Sequence, residues 1–172
     1  METIGGNGAG TARPPDGGSG ATAFDFLFGN WRVRHRKLRR RLAGCTQWDE
    51  FEGESTSRPI LGGLGNIEEN VLDDPGGAYR ALALRLFDPA RGAWSIWWVD
   101  GRHLRLEPPV HGRFQDGAGL FIGEDRLDDR PILVRFLWSA AERSRPRWEQ
   151  AFSADGGGTW ETNWIMRFER PE

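Results

Sequence analysis

A single cysteine, Cys45, is all the thiol chemistry this chain of 172 residues has. That excludes an intrachain disulfide and any multi-cysteine zinc site, and it fits a reducing compartment. Histidine is nearly as scarce, with three residues. His103, Glu107 and His111 have a spacing that one helix would align as ligands, but Pro108 and Pro109 forbid that helix, so no metal site is expected. No apolar run approaches a membrane span, and the first residues lack the basic-then-apolar order of a signal peptide, so a cytoplasmic protein is expected. The formal net charge of −2 gives no general attraction to nucleic acid or to a membrane surface. Neither is expected as a partner.

Tryptophan, by contrast, is abundant: nine residues, within 38% hydrophobic content, are enough for one substantial core. Residues 1–22 contribute almost nothing to it. They hold seven glycines and the pair Pro14-Pro15, and are expected to be a disordered tail ahead of a single domain over 23–172. The domain opens on an aromatic cluster, Phe24 to Trp31, read as a short helical turn that plugs one end of the core.

Alternating segments then follow one another: Trp31 to Leu42, a partner beginning near Trp48, Asn66 to Leu72, Tyr79 to Phe87, Ala93 to Val99, Val110 to Gln115, Gly119 to Leu127 and Pro131 to Ser139. The first carries seven Lys or Arg. Pairing Leu42 with Trp48 would set Arg40 opposite Glu50 and Arg36 opposite Glu54, making a counter-charged outer face rather than a phosphate-binding stripe. Pairing Phe87 with Ala93 would turn Leu82, Leu84 and Leu86 inward beside Trp94, Ile96 and Trp98. Asp128-Asp129, as a two-residue loop, would align Phe121, Gly123 and Asp125 with Phe136, Val134 and Ile132.

The closing stretch, Trp148 to Phe168, is two further strands around Ser153-Ala154-Asp155-Gly156-Gly157-Gly158-Thr159-Trp160. This turn fits the Asp-box pattern, in which short polar side chains bond loop amides. Pairing Phe152 with Trp160 would place Trp148, Gln150, Phe152, Trp160, Thr162, Trp164 and Met166 on one inner face. With about ten strands and no helix to cover a second face, the expected fold is all-β, an antiparallel closed barrel.

The opening F-D-F-L-F-G-N-W and the closing W-E-Q-A-F-S-A-D-G-G-G-T-W-E-T-N-W resemble a bacterial family of unknown function with calycin-like barrels, over nearly everything after residue 22. Gly29-Asn30-Trp31 is similar to the lipocalin G-x-W, whose tryptophan closes the barrel base. The better-known calycins, lipocalins and fatty-acid-binding proteins, carry small apolar molecules, so the resemblance implies binding. A related ten-stranded haem barrel uses a proximal histidine near the chain end. The last histidine here is His111, and no cofactor is expected.

The expected ligand is one small, largely apolar or aromatic molecule. Trp98, Trp148 and Trp164 would form the wall, with His35, Gln150 and Thr162 as orienting polar groups. The bland alternative is that these side chains fill the lumen. A cofactor-free isomerase or cyclase would need His35 as its base, since no nucleophile or carboxylate pair is visible and no catalytic residue is otherwise assigned. An interaction protein would use outward Trp97, Leu133 and Leu137 as a homodimer face.

Overall fold

The computed structural model describes residues 20–139 and 142–172. The expected tail over 1–22 therefore lies outside the described residues up to position 19. Ten strands follow a 3-10 turn at Asp25–Leu27: β1 (Gly29–Leu38), β2 (Trp48–Ile60), β3 (Gly65–Leu72), β4 (Tyr79–Asp88), β5 (Ala93–Asp100), β6 (Val110–Gln115), β7 (Ala118–Leu127), β8 (Arg130–Ser139), β9 (Arg147–Ser153) and β10 (Glu161–Glu169). Each pairs antiparallel with its neighbours in sequence, and β1 pairs with β10, so the sheet closes on itself. Closure satisfies the edge strands that an open sheet would leave bare.

One end is stoppered. Phe24, fully buried, packs against Trp94, Phe114, Phe121 and Trp138 with ring centroids 4.9–5.9 Å apart. Trp31 donates its indole N–H to the Leu27 carbonyl at 2.7 Å and lies under the Arg170 guanidinium at 3.5 Å. The G-x-W tryptophan thus helps seal the base, as the resemblance implies. Trp94 also donates to the Gly20 carbonyl at 2.9 Å, and Ala21 is buried. A chain beginning at Gly20 is therefore expected to keep the thermal midpoint of the full protein, whereas one beginning at Ala23 should melt lower by a few degrees. Losing a buried hydrogen bond of this kind costs about 1 kcal/mol.

The β7–β8 hairpin has the expected register. Asp128 and Asp129 both take positive φ, which a two-residue loop of this hand requires, and Phe121, Gly123 and Asp125 face Phe136, Val134 and Ile132. Three other registers differ from expectation.

β1 ends at Leu38, which pairs with Trp48, and residues 39–47 form a longer connection in which Leu42 has φ 52°. Arg36 therefore meets Glu50 (3.4 Å), and Arg32 and Arg34 oppose Glu54 and Glu52. The outer face is counter-charged as expected, through different pairs. The slip is an even number of residues, so Trp31, Val33 and His35 still point inward.

On β4 and β5 the slip is odd, and its effect is larger. Asp88, not Phe87, pairs with Ala93, because the Asp88 carboxylate accepts the amides of Ala90 and Arg91 in a tighter turn. A one-residue slip exchanges faces. Tyr79, Ala81, Ala83, Arg85 and Phe87 are buried, while Leu82, Leu84 and Leu86 lie half-buried on the outer wall.

In the last hairpin Glu161 pairs with Phe152, and a bulge between Thr162 and Trp164 restores the inward direction of Trp164 and Met166. Trp160 is excluded from the core. It bonds the Gly157 carbonyl at 3.1 Å and lies under Arg135 at 4.5 Å. The Asp box forms as expected: Asp155 accepts from Ser153, from the Thr159 amide and from the Thr159 hydroxyl at 2.7–2.9 Å. Those bonds hold its carboxyl well below the usual range.

Candidate functional site

Small side chains on β4 make room. Ala81 and Ala83 are buried in the middle of β4, with Ala83 beside Trp98 of β5, and the lumen above the stopper is not filled. A cavity of about 310 Å³ remains, with Trp98, Phe136, Trp148, Phe152 and Trp164 in its apolar wall. Its floor is an edge-to-face set, with the ring of Trp164 centred 5.7 Å from Trp98 and 5.5 Å from Trp148. Beneath that floor only about 20 Å³ stays empty, above Glu68, Arg85 and Trp138. A shallower groove of about 970 Å³ lies outside, against residues 105–108 and the β7–β8 hairpin. Its open walls mix carboxylates and arginines with Leu106, Ile132 and Leu133.

Of the residues singled out in the sequence, Trp98, Trp148, Gln150 and Trp164 come together on the cavity wall. Thr162 does not line it. The bulge puts Asn163 beside Gln150 instead, and Gln150 donates to the Asn163 side-chain oxygen at 2.8 Å, so that amide is held in place rather than free. His35 sits behind the wall. It is 3% exposed, stacks on Phe51 at 4.7 Å, and its Nδ1 accepts the Trp164 indole N–H at 3.2 Å. Burial, with Lys37 adding and Asp74 opposing, pushes its pKa down to about 3. Such an imidazole is a weak base whose lone pair is already engaged. It positions Trp164 instead.

The mouth of the cavity is polar, and sequence reading missed most of it. Lys37 continues the inward row of β1 by two residues, which is the signal that could have placed it. Its ammonium lies 4.7 Å over the Trp164 ring and bonds Asp74 at 3.2 Å, with the Tyr79 hydroxyl at 3.5 Å. Burial and the nearby Arg41 lower its pKa despite Asp74. Arg102 clasps Asp100 through two nitrogens (3.0 and 2.7 Å) and lies 3.7 Å over the Tyr79 ring. Burial raises the Tyr79 phenol far above its ordinary range, so it stays a neutral hydroxyl. On the facing wall, burial, then Asp125 and Asp100, hold the Glu107 carboxyl above its usual value.

A second polar cluster lies inside the barrel on β2, β3 and β4. Arg85 and Glu68, both 3% exposed, form an ion pair. Glu68 also accepts from Ser55 at 2.9 Å, and Arg85 donates to Asn66 at 3.0 Å. The guanidinium is centred 5.0 Å from the Phe24 ring and 5.5 Å from Trp138, which ties it to the stopper.

Elsewhere, His111 bonds the Ser95 hydroxyl at 2.8 Å on the outer wall, while His103 and Glu107 belong to the mouth. Trp97, Leu133 and Leu137 are half-buried on the outside of β5 and β8, strands separated by β6 and β7.

No protein-family model and no curated protein sequence matches the chain. Among solved structures, an S-type phycobiliprotein lyase from Guillardia theta superposes with a TM-score of 0.59, over 91% of this chain and 95% of its own, at 11% identity. That likeness is one of fold, and with the ten-strand closure it shows a calycin-like barrel.

Proposed function

We propose that the barrel binds one small, largely apolar or aromatic molecule in its lumen, against Trp98, Trp148 and Trp164. The observation that carries the reading is the cavity of about 310 Å³ itself, open at the end opposite the stopper. Small-molecule sites fall near this size and have this makeup, an apolar wall with a few convergent polar groups. The fold likeness to a phycobiliprotein lyase is in keeping with it. An isomerase or cyclase reading loses support, because its one candidate base, His35, is engaged with Trp164 and held neutral. Neither a metal nor a redox group is part of this proposal. Nor is a nucleic acid, since the arginines of β1 oppose Glu50, Glu52 and Glu54.

The test is titration with the uncharged fluorophore N-phenyl-1-naphthylamine, excited through tryptophan. Energy transfer saturating at one probe per chain is expected. Val134→Trp, which fills the lumen from β8, should weaken binding about tenfold or more while circular dichroism shows the fold intact. No saturable transfer, or transfer untouched by Val134→Trp in a folded protein, removes the lumen as the site.

A further inference from the structure

Two of the cations at the mouth are held by a carboxylate in direct contact. Lys37 has Asp74, Arg102 has Asp100, and Arg39 and Arg36 outside have Asp49 and Glu50. Arg41 has no such contact: among the described residues it makes no ion pair and no hydrogen bond, and the Glu107 and Asp74 carboxylates act on it only at longer range. It is half-buried on the cavity wall, its guanidinium 5.4 Å from the ring centre of Phe152. Glu107 shares the wall and acts on Arg41 at a distance, but among the described residues no hydrogen bond or ion pair joins the two, and burial raises its pKa. A half-buried guanidinium with no hydrogen-bonded partner at the threshold of an apolar chamber leaves its donors for a ligand to satisfy. Its planar fork suits a carboxylate, which it can hold through two parallel bonds.

We propose that Arg41 is an anion seat, so that the lumen's ligand is an amphipathic acid with an aromatic or apolar body and a carboxylate at one end. This rests on the lumen reading above. The body stands against Trp164 and Trp148. The head stays at the rim, held by Arg41 beside the neutral Tyr79 hydroxyl, where it competes with the Glu107 and Asp74 carboxylates that also act on Arg41. The apolar wall sets how much body is accepted, and Arg41 sets which end enters last.

Calorimetry with 2-naphthoate and 2-naphthamide, matched in shape and differing in charge, tests the seat. The acid should bind about tenfold tighter than the amide, as a charge-assisted bidentate contact provides. Its advantage should shrink as salt rises through about 0.15 M. Arg41→Gln should bring the acid down to the amide's affinity and leave the amide within about twofold, and Arg41→Lys should keep part of the difference. Equal binding of acid and amide by the unaltered protein, or equal loss of both in Arg41→Gln, overturns the anion seat. Should N-phenyl-1-naphthylamine bind while the acid shows no advantage, the seat alone falls. Should none of the three compounds bind, the lumen reading falls with it.

Discussion

Arg85→Met is expected to cost about 3–5 kcal/mol of stability, the largest single effect in this chain, because it strands Glu68 as an uncompensated buried charge. Both partners are 3% exposed, and among the described residues Glu68 would keep only the Ser55 hydroxyl to satisfy it. The same substitution withdraws the guanidinium from Phe24 and Trp138, so the stopper loses its contact with the β4 wall. Glu68→Met alone should be damaging for the mirror reason. The double variant Arg85→Met/Glu68→Met should recover more than half of the loss, since an apolar pair of similar volume avoids desolvating two ions. Urea titration of the four proteins gives the coupling directly. Additive losses in the double variant would show that the pair is not the source of the effect.

Acid should destabilise the protein well before its carboxylates titrate, and His35 should be responsible. In the unfolded chain the imidazole takes up a proton near its ordinary 6.5, while in the folded barrel it does not do so until about 3. The stability this contributes is complete above 6.5 and drains away as pH falls towards 3. At about 1.4 kcal/mol per pH unit, the drop from pH 6.5 to 4.5 amounts to about 2–3 kcal/mol. Asp74, Asp100 and Asp155 sit below the usual carboxylate range, so their stabilisation is lost only at lower pH. Glu107 and Asp25, raised by burial, act in the opposite sense but equally in any His35 variant. His35→Gln keeps an acceptor for the Trp164 indole and cannot titrate. It should be somewhat less stable at neutral pH, having lost the stack on Phe51, yet flatter between pH 6.5 and 4.5. Parallel pH profiles for the two proteins would place the acid sensitivity elsewhere.

Strand number, closure and the plugged base were legible because they rest on alternation and turn chemistry over many residues. The β7–β8 register was legible for a sharper reason: Asp128 and Asp129 both accept positive φ, which leaves one loop length. The β4–β5 register was not. There the choice between a four-residue loop after Asp88 and a five-residue loop after Phe87 decides which face of β4 points inward, and leucines at 82, 84 and 86 make a more convincing core row than Tyr79, Ala81, Ala83, Arg85 and Phe87. Small residues belong inside at this point because large rings from other strands, Trp98, Trp138 and Trp148 among them, already fill the space beside Ala83, which local hydrophobicity cannot express. Arg85 was hidden for the same reason, since its partner Glu68 lies on another strand. Of the site, the tryptophan wall followed from parity alone. Arg41 did not, being one cation in a run of seven until the end of β1 at Leu38 puts it at the mouth.

The pairing of β1 with β10 also bears on how quickly this protein can form. Each of the other strand pairs joins neighbours in sequence, and most of these contacts close over short spans of chain. Val33 and Phe168, by contrast, must find each other from nearly opposite ends of the domain. Loop-closure entropy has to be overcome before that last seam returns any energy, which places the protein among slow folders of high contact order. Until the seam forms, β1 and β10 each expose an unpaired edge, and one chain's β1 can find another chain's β10. Refolding yield should therefore fall as protein concentration rises, even under conditions where the finished barrel is stable.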